Sequence, residues 1–212
     1  MITGASVSEA YLGMLLDIVS KKGASVMQVT RVTEPVLRGV VNVDQGFHDK
    51  LKGFTFSKDN RTGYWWLEDR IAALFSEKGE YWARMNRYGQ LNYIKGALKG
   101  MNEGTHPRWN ANRLIIDLFN PEADLHVTRM PTPPCMITIA FIPIRDQLSM
   151  AATFRAQYTD AKGYGNLYSL AMLLRDIAQF SGFKPRHLYS TAQKATLKYN
   201  LTEARAFRIA LL

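Results

Sequence analysis

The stretch CMITIAFIPIRDQLSMAATFR, from Cys135 to Arg155, decides the fold. Met136 to Ile144 is almost wholly apolar, and Leu148 to Arg155 reads as a second extended run. Arg145-Asp146-Gln147 between them has the length and polarity of a tight hairpin turn. Pro133 and Pro134 stand directly before the first strand; each fixes φ and lacks a backbone donor, so neither lies inside a paired central strand. Pairing starts at Cys135 or just after. A hairpin built this way carries Cys135 and Arg155 to the same end of the sheet.

Working outward, Ser8 to Lys22 reads as a helix. Tyr11, Leu12, Leu15, Ile18 and Val19 recur at helical spacing, Ser6 or Ser8 can cap it, and Gly23 can end it. Val36 to Val43 reads as a strand, Tyr64 to Ser76 and Asn86 to Lys99 as helices, and Leu114 to Phe119 as a short buried strand. Leu167 to Phe180 is a helix with Leu170, Leu173, Leu174 and Ile177 as its stripe and Gly182 past its end. A strand around His187 to Ser190 and a helix over Thr202 to Leu211 complete the chain. Strands and helices mixed around an antiparallel hairpin give an α+β class.

The chain has 212 residues, 47% hydrophobic and 21% charged, which suits one globular domain spanning 1–212. A single cysteine forms no internal disulfide, and a reducing compartment fits. The N-terminal apolar stretch lacks a basic lead and is interrupted by Glu9 and Asp17, so it is not read as a signal peptide, and no apolar run is long enough to span a bilayer. A cytoplasmic protein without membrane association is expected. The net charge of +9 draws anions, but the basic residues are scattered. That favours an anion-binding cleft over nucleic acid, which is not an expected partner.

Three residues carry candidate chemistry. Cys135 is either a small buried hydrophobe or a nucleophile presented by a stiff turn. Arg155 is either a strand-end salt bridge or an anion ligand beside that thiol. Asn166 is either the cap of the long helix or a carboxamide that offers a ligand both donor and acceptor.

Together NRLIIDLFNPEADL (112–125), PPC (133–135) and FRAQYTDAKGYGN (154–166) resemble the thymidylate synthase and deoxycytidylate hydroxymethylase family. That family shows an arginine-bearing strand ending in an Asn-Pro turn, a Pro-Pro-Cys nucleophile, an Arg-Ser-x-Asp, and an asparagine eleven positions after its arginine. SVSEAYLGMLLDIVSKKG (6–23) and RVTEPV (31–36) resemble the opening of its shorter members. The resemblance implies a thymidylate synthase-like fold, a mixed sheet with long helices packed on one face. It implies a transferase that moves a one-carbon unit from methylenetetrahydrofolate, or a related reduced pterin, to C5 of a pyrimidine nucleotide. Cys135 would add to C6 of the ring. Arg155 would hold the phosphate, joined by Arg113 from the partner subunit of a homodimer. Asn166 would pair with the base and leans toward uracil. Glu68 is the candidate proton-relay glutamate or else part of a solvated helix face. Tyr88, Tyr158, Gln157 and Gln193 are possible substrate contacts, although a turn into a helix explains Tyr88 and Gln90 nearly as well.

The departures from the family matter too. Asn112 stands where many members carry a second arginine, Met136 where histidine commonly follows the cysteine, and Ala156 and Tyr158 in place of the serine and aspartate, with Asp160 shifted by two. Gln193 and Ala195 fall where a sugar-binding His-x-Tyr pair is expected. A pyrimidine nucleotide hydroxymethylase and a catalytically degenerate nucleotide-binding or assembly homologue are therefore the alternatives. Trp65, Trp66 and Trp82 read as core rather than a stacking platform. His48, His106, His126 and His187 lack metal-ligand spacing, so no metal is expected.

Overall fold

The computed structural model describes residues 1–33, 45–125 and 133–212, and the backbone alone of residues 108–110. The strand read over Val36 to Val43 lies outside the described residues. Strand β1 (Ile2–Gly4) leads into helix α1 (Val7–Ser20) and strand β2 (Ala24–Val32). Helices α2 (Gln45–Gly53), α3 (Gly63–Phe75), α4 (Glu80–Asn86) and α5 (Gln90–Asn102) follow. Strand β3 (Ile115–Asp117) and the single turn α6 (Pro121–Asp124) precede the hairpin β4 (Met136–Ile144) and β5 (Gln147–Tyr158). A π turn (Thr159–Gly163), helix α7 (Tyr164–Ser181), strand β6 (Lys184–Thr196) and helix α8 (Leu201–Leu211) complete the order.

The sheet runs β1-β2-β6-β5-β4-β3. β4 pairs antiparallel with β5 and β3, and β2 antiparallel with β6, while β5–β6 and β1–β2 are parallel. This is a mixed α+β sheet. The hairpin falls where the sequence places it. Ile144 faces Gln147, so the turn is the two residues Arg145 and Asp146, with Arg145 at φ 56°. A two-residue turn needs such a left-handed residue to match the twist of its strands.

Leu148, Met150, Ala152 and Phe154 on β5, with Leu188 and Ala192 on β6, are buried in the core beside Leu167, Leu170, Leu174 and Ile177 of α7. The alternate residues Ala151, Thr153, Tyr189 and Thr191 are only half-buried, and Ile142 and Ile144 are exposed. One face of the sheet therefore meets the helices more fully than the other. Ser6 caps α1 by accepting from Glu9 N at 3.2 Å, and the Glu9 carboxylate accepts from Ala5 N at 2.8 Å. Gly182, at φ 76°, ends α7 in the left-handed conformation that glycine adopts without strain.

Several boundaries differ from the sequence reading: β5 runs on past Arg155 to Tyr158, and β3 is only Ile115–Asp117. The helix expected over Asn86 to Lys99 begins at Gln90, because Tyr88 and Gly89 both take positive φ and break it from α4. The strand expected at His187 to Ser190 runs over all of β6. The long helix starts at Tyr164 rather than Leu167 and has no side-chain cap at Gly163. Asn166 is thus inside its first turn and is not the cap. Among the described residues no helix is long and apolar enough to cross a membrane.

Candidate functional site

The hairpin delivers what the sequence required of it. Arg155 N donates to Cys135 O at 2.7 Å, which fixes β5, three residues before its end, against the Pro-Pro-Cys turn. The Arg155 guanidinium also donates to Pro133 O at 3.2 Å. Both residues open onto a cavity of about 410 Å³, within the size range of small-molecule sites.

Asn166 lines the same cavity from the first turn of α7 and is buried. Among the described residues its carboxamide makes no hydrogen bond. Gln157, at 3% exposure, also lines the cavity, and neither end of its carboxamide has a partner among the described residues. A buried amide left unpaired costs about 1–3 kcal/mol, so an unsatisfied pair of ends marks a place for a ligand or water to bind. Tyr158, 45% exposed, stands at the rim.

Structure and sequence part company over the remaining candidates. Glu68 is exposed on α3 and does not line the cavity; Glu80, at the start of α4, is the carboxylate that does. Arg113 is exposed and outside the cavity of its own chain. Tyr88 is 83% exposed on the break before α5 and lies outside as well. Gln193 is exposed on β6 and does not line the cavity, whereas Lys194 and Thr196, one residue further along in each case than Gln193 and Ala195, line it. Gln90 is a brace: its amide donates to Arg84 O and Asp117 O at 3.2 and 3.1 Å and accepts from Asp117 N at 2.8 Å, tying α5 to β3. Asp160 is fully buried, and its carboxylate accepts from the backbone of Ala161, Lys198 and Tyr199, which pins the π turn to the chain after β6. Trp66 is buried; Trp65 is partly exposed beneath the Arg61 guanidinium, 3.8 Å from the ring centre.

Arg70 and Lys162 also line the cavity and carry no sequence motif. A signal for Arg70 exists: it falls on the buried stripe of α3 with Trp66, Leu67 and Leu74, and a cation on an apolar face needs a reason. Arg70 is held by Asp69, Nε to Oδ2 at 2.8 Å and the guanidinium NH2 to Oδ2 at 2.6 Å. Gly165 lets this happen. A Cβ there would lie 2.8 Å from Arg70 Cβ and from Trp66 O, so the bare backbone brings α7 close against α3.

The electrostatics are cationic. Among the described residues, Arg70, Arg155, Lys162 and Lys194 face a single lining carboxylate, Glu80. Burial, then the nearby Arg70 charge, pushes the Lys162 ammonium below its ordinary value; Asp69, Cys135 and Glu80 act the other way. Burial, then Glu80, pushes the Tyr81 phenol up to about 12, so it stays protonated while its oxygen accepts from Met136 N at 3.3 Å. A cleft of this sign concentrates anionic ligands. Among the described residues no group of three or more His, Cys, Asp and Glu side chains gathers to hold a metal ion. No family model matches the chain.

Proposed function

We propose that the protein transfers a one-carbon unit from a reduced folate to C5 of a pyrimidine nucleotide, uracil in its base, through a covalent adduct at C6. The observation that carries this reading is the convergence of Cys135, Arg155 and Asn166 on one cationic cavity, in the order of the resembled family. The Cys135 thiolate forms the S–C6 bond, and the C5–C6 double-bond electrons move onto C5 and the adjacent carbonyl, making C5 the nucleophile. Arg155 binds the phosphate, with Lys194 of β6, opposite Ala156, as a second cation of the same cavity. Asn166 pairs with the base edge, and Gln157 completes the polar wall. Glu80 takes the proton-handling role first sought at Glu68.

A folate supplies the one-carbon unit and, for a methyl product, the hydride. The exposed ring of Tyr158 at the rim offers a pterin a stacking surface. After transfer the C5 proton is lost to a base, and re-formation of the C5–C6 double bond expels the thiolate. Quenching by water instead yields the hydroxymethyl product. The half-exposed face of the sheet is the surface on which a second copy would pack, bringing Arg113 of that copy to this site. Chemistry that needs a free thiol suits the cytoplasm.

The test is 5-fluoro-dUMP with methylenetetrahydrofolate, followed by intact and peptide mass spectrometry. The expected result is a covalent adduct on Cys135 that the Cys135→Ala variant lacks, together with loss of the C5 hydrogen from labelled dUMP or UMP. No adduct and no hydrogen release with any pyrimidine monophosphate would refute the reading and leave a binding protein without chemistry. Product mass separates methyl from hydroxymethyl.

A further inference from the structure

Lys162 has no counterpart in the roles above, yet it lies in the π turn between the strand that carries Arg155 and the helix that carries Asn166. Its ammonium is half-buried and lies 5.6 Å from the centre of the Trp66 ring. Among the described residues it makes no hydrogen bond or ion pair. An ammonium withdrawn from water without an anion is unfavourable, so its position calls for a negative group inside the cavity.

The charged and titratable groups around it narrow the choice. From α3 come Asp69 and Arg70, and Asp69 is already committed to Arg70 at 2.6 Å. From α4 come Glu80 and Tyr81, and the phenol is neutral. The strands contribute Arg155, Tyr158 and Lys194, none of them a carboxylate. Glu80 is exposed and reaches water. Among the described residues that line the cavity, Glu80 and Cys135 are the two that can present a negative charge, and Cys135 is the half-buried one of the pair. That this place receives a ligand has support independent of the thiol, in the buried and unpartnered carboxamide of Gln157.

We propose that Lys162 is the positioning residue that holds Cys135 as a thiolate, so that the π turn activates the nucleophile as well as joining β5 to α7. The proposal rests on the reading of Cys135 as a nucleophile. An adjacent ammonium stabilises a thiolate at the expense of the thiol. Arg155, whose guanidinium is turned to Pro133 O, is left for the ligand's anion.

The experiment is alkylation of Cys135 by iodoacetamide in the absence of nucleotide, followed from pH 6 to 9 in the native protein, Lys162→Met and Lys162→Arg. One unit of thiol pKa is a tenfold change in thiolate fraction, and the greater nucleophilicity of the less acidic thiolate returns part of it. Lys162→Met is expected to alkylate about three- to tenfold more slowly at pH 7, with its rate–pH curve moved to higher pH, and Lys162→Arg to recover most of the native rate. Circular dichroism and total thiol content verify folding; should Lys162→Met not fold, Lys162→Gln takes its place. Native alkylation kinetics in the folded charge-removing variant overturn the proposal. So does native alkylation combined with weakened binding of inorganic phosphate, which would make Lys162 an anion ligand instead. Alkylation needs no nucleotide or folate, so a slowed variant alongside a native protein that forms no fluoropyrimidine adduct would uphold the pairing and refute the transferase reading.

Discussion

Replacing Asp124 with alanine tests whether the helix that carries Glu80 and Tyr81 is held in place by charge. Asp124 accepts two hydrogen bonds from Arg84 of α4, at 2.8 and 2.9 Å, and a third from Asn120 N at 2.7 Å. The side chains are 3% and 17% exposed. Removing one partner of such a buried pair costs about 3–5 kcal/mol. Arg84 retains Leu118 O at 2.8 Å and some water, which places the expected loss at the lower end, about 3 kcal/mol. In a domain of this size each kcal/mol moves the melting temperature by about 2–4 °C, so Asp124→Ala should melt about 6–12 °C below the native protein.

The pH dependence has a definite sign. The Arg84 hydrogen bonds, opposed by burial, hold the Asp124 carboxyl below its usual range. A depressed folded pKa contributes stability at pH values above the unfolded pKa of about 3.9, and that stability is lost as pH falls through the folded value. Asp124→Asn keeps one acceptor and lacks the charge, so it should fall between the two proteins at pH 7 and converge on the native protein near pH 3. Thermal melts at the two pH values decide the matter. A drop under about 2 °C for Asp124→Ala, or a gap to Asp124→Asn that is the same at pH 7 and pH 3, would refute the reasoning.

Three further outcomes are expected. Glu80→Gln should lower C5 hydrogen release by about 10²–10⁴-fold, the range for a general acid or base, while Glu68→Gln leaves it at the native rate; the reverse ordering would return the role to Glu68. Arg155→Ala removes a charge-assisted contact worth about 1.5–3 kcal/mol, so calorimetry should show about 10- to 150-fold weaker binding of a pyrimidine monophosphate and unchanged binding of the bare nucleoside. Gly165→Ala places a methyl group against Arg70 and Trp66 O and should cost about 1–3 kcal/mol in denaturant unfolding; unchanged stability would mean that α3 and α7 are not tightly apposed.

The hairpin was readable because its two strands are apolar on one face and its turn is short. Strand β2 was not read, because Ser25, Gln28 and Thr30 are polar yet buried, and the Gln28 amide nitrogen donates to Met14 O and Asp17 Oδ2, which no local pattern reveals. Helix α4 is only seven residues long, too short for an apolar period to register. At the site, Cys135, Arg155 and Asn166 were legible as an ordered motif in neighbouring elements. Arg70, Glu80 and Lys194 come from α3, α4 and β6, and only tertiary packing shows that they meet the cysteine. Glu68 and Glu80 lie on either side of the turn between α3 and α4, and the sequence alone does not say which of them faces inward.

The π turn has a consequence for how this site tolerates change in length. Such a turn holds one residue more than the α-helical turn it replaces, and each residue of an α-helix advances the direction of its side chains by about 100°. A one-codon deletion anywhere in Thr159–Gly163 would let α7 run on as regular helix and swing the preceding backbone by that angle. Lys162 would leave the cavity, and the Asp160 clamp on Lys198 and Tyr199 would break with it. An in-frame loss that many surface loops absorb would here separate the cation from the thiol while leaving the sheet intact.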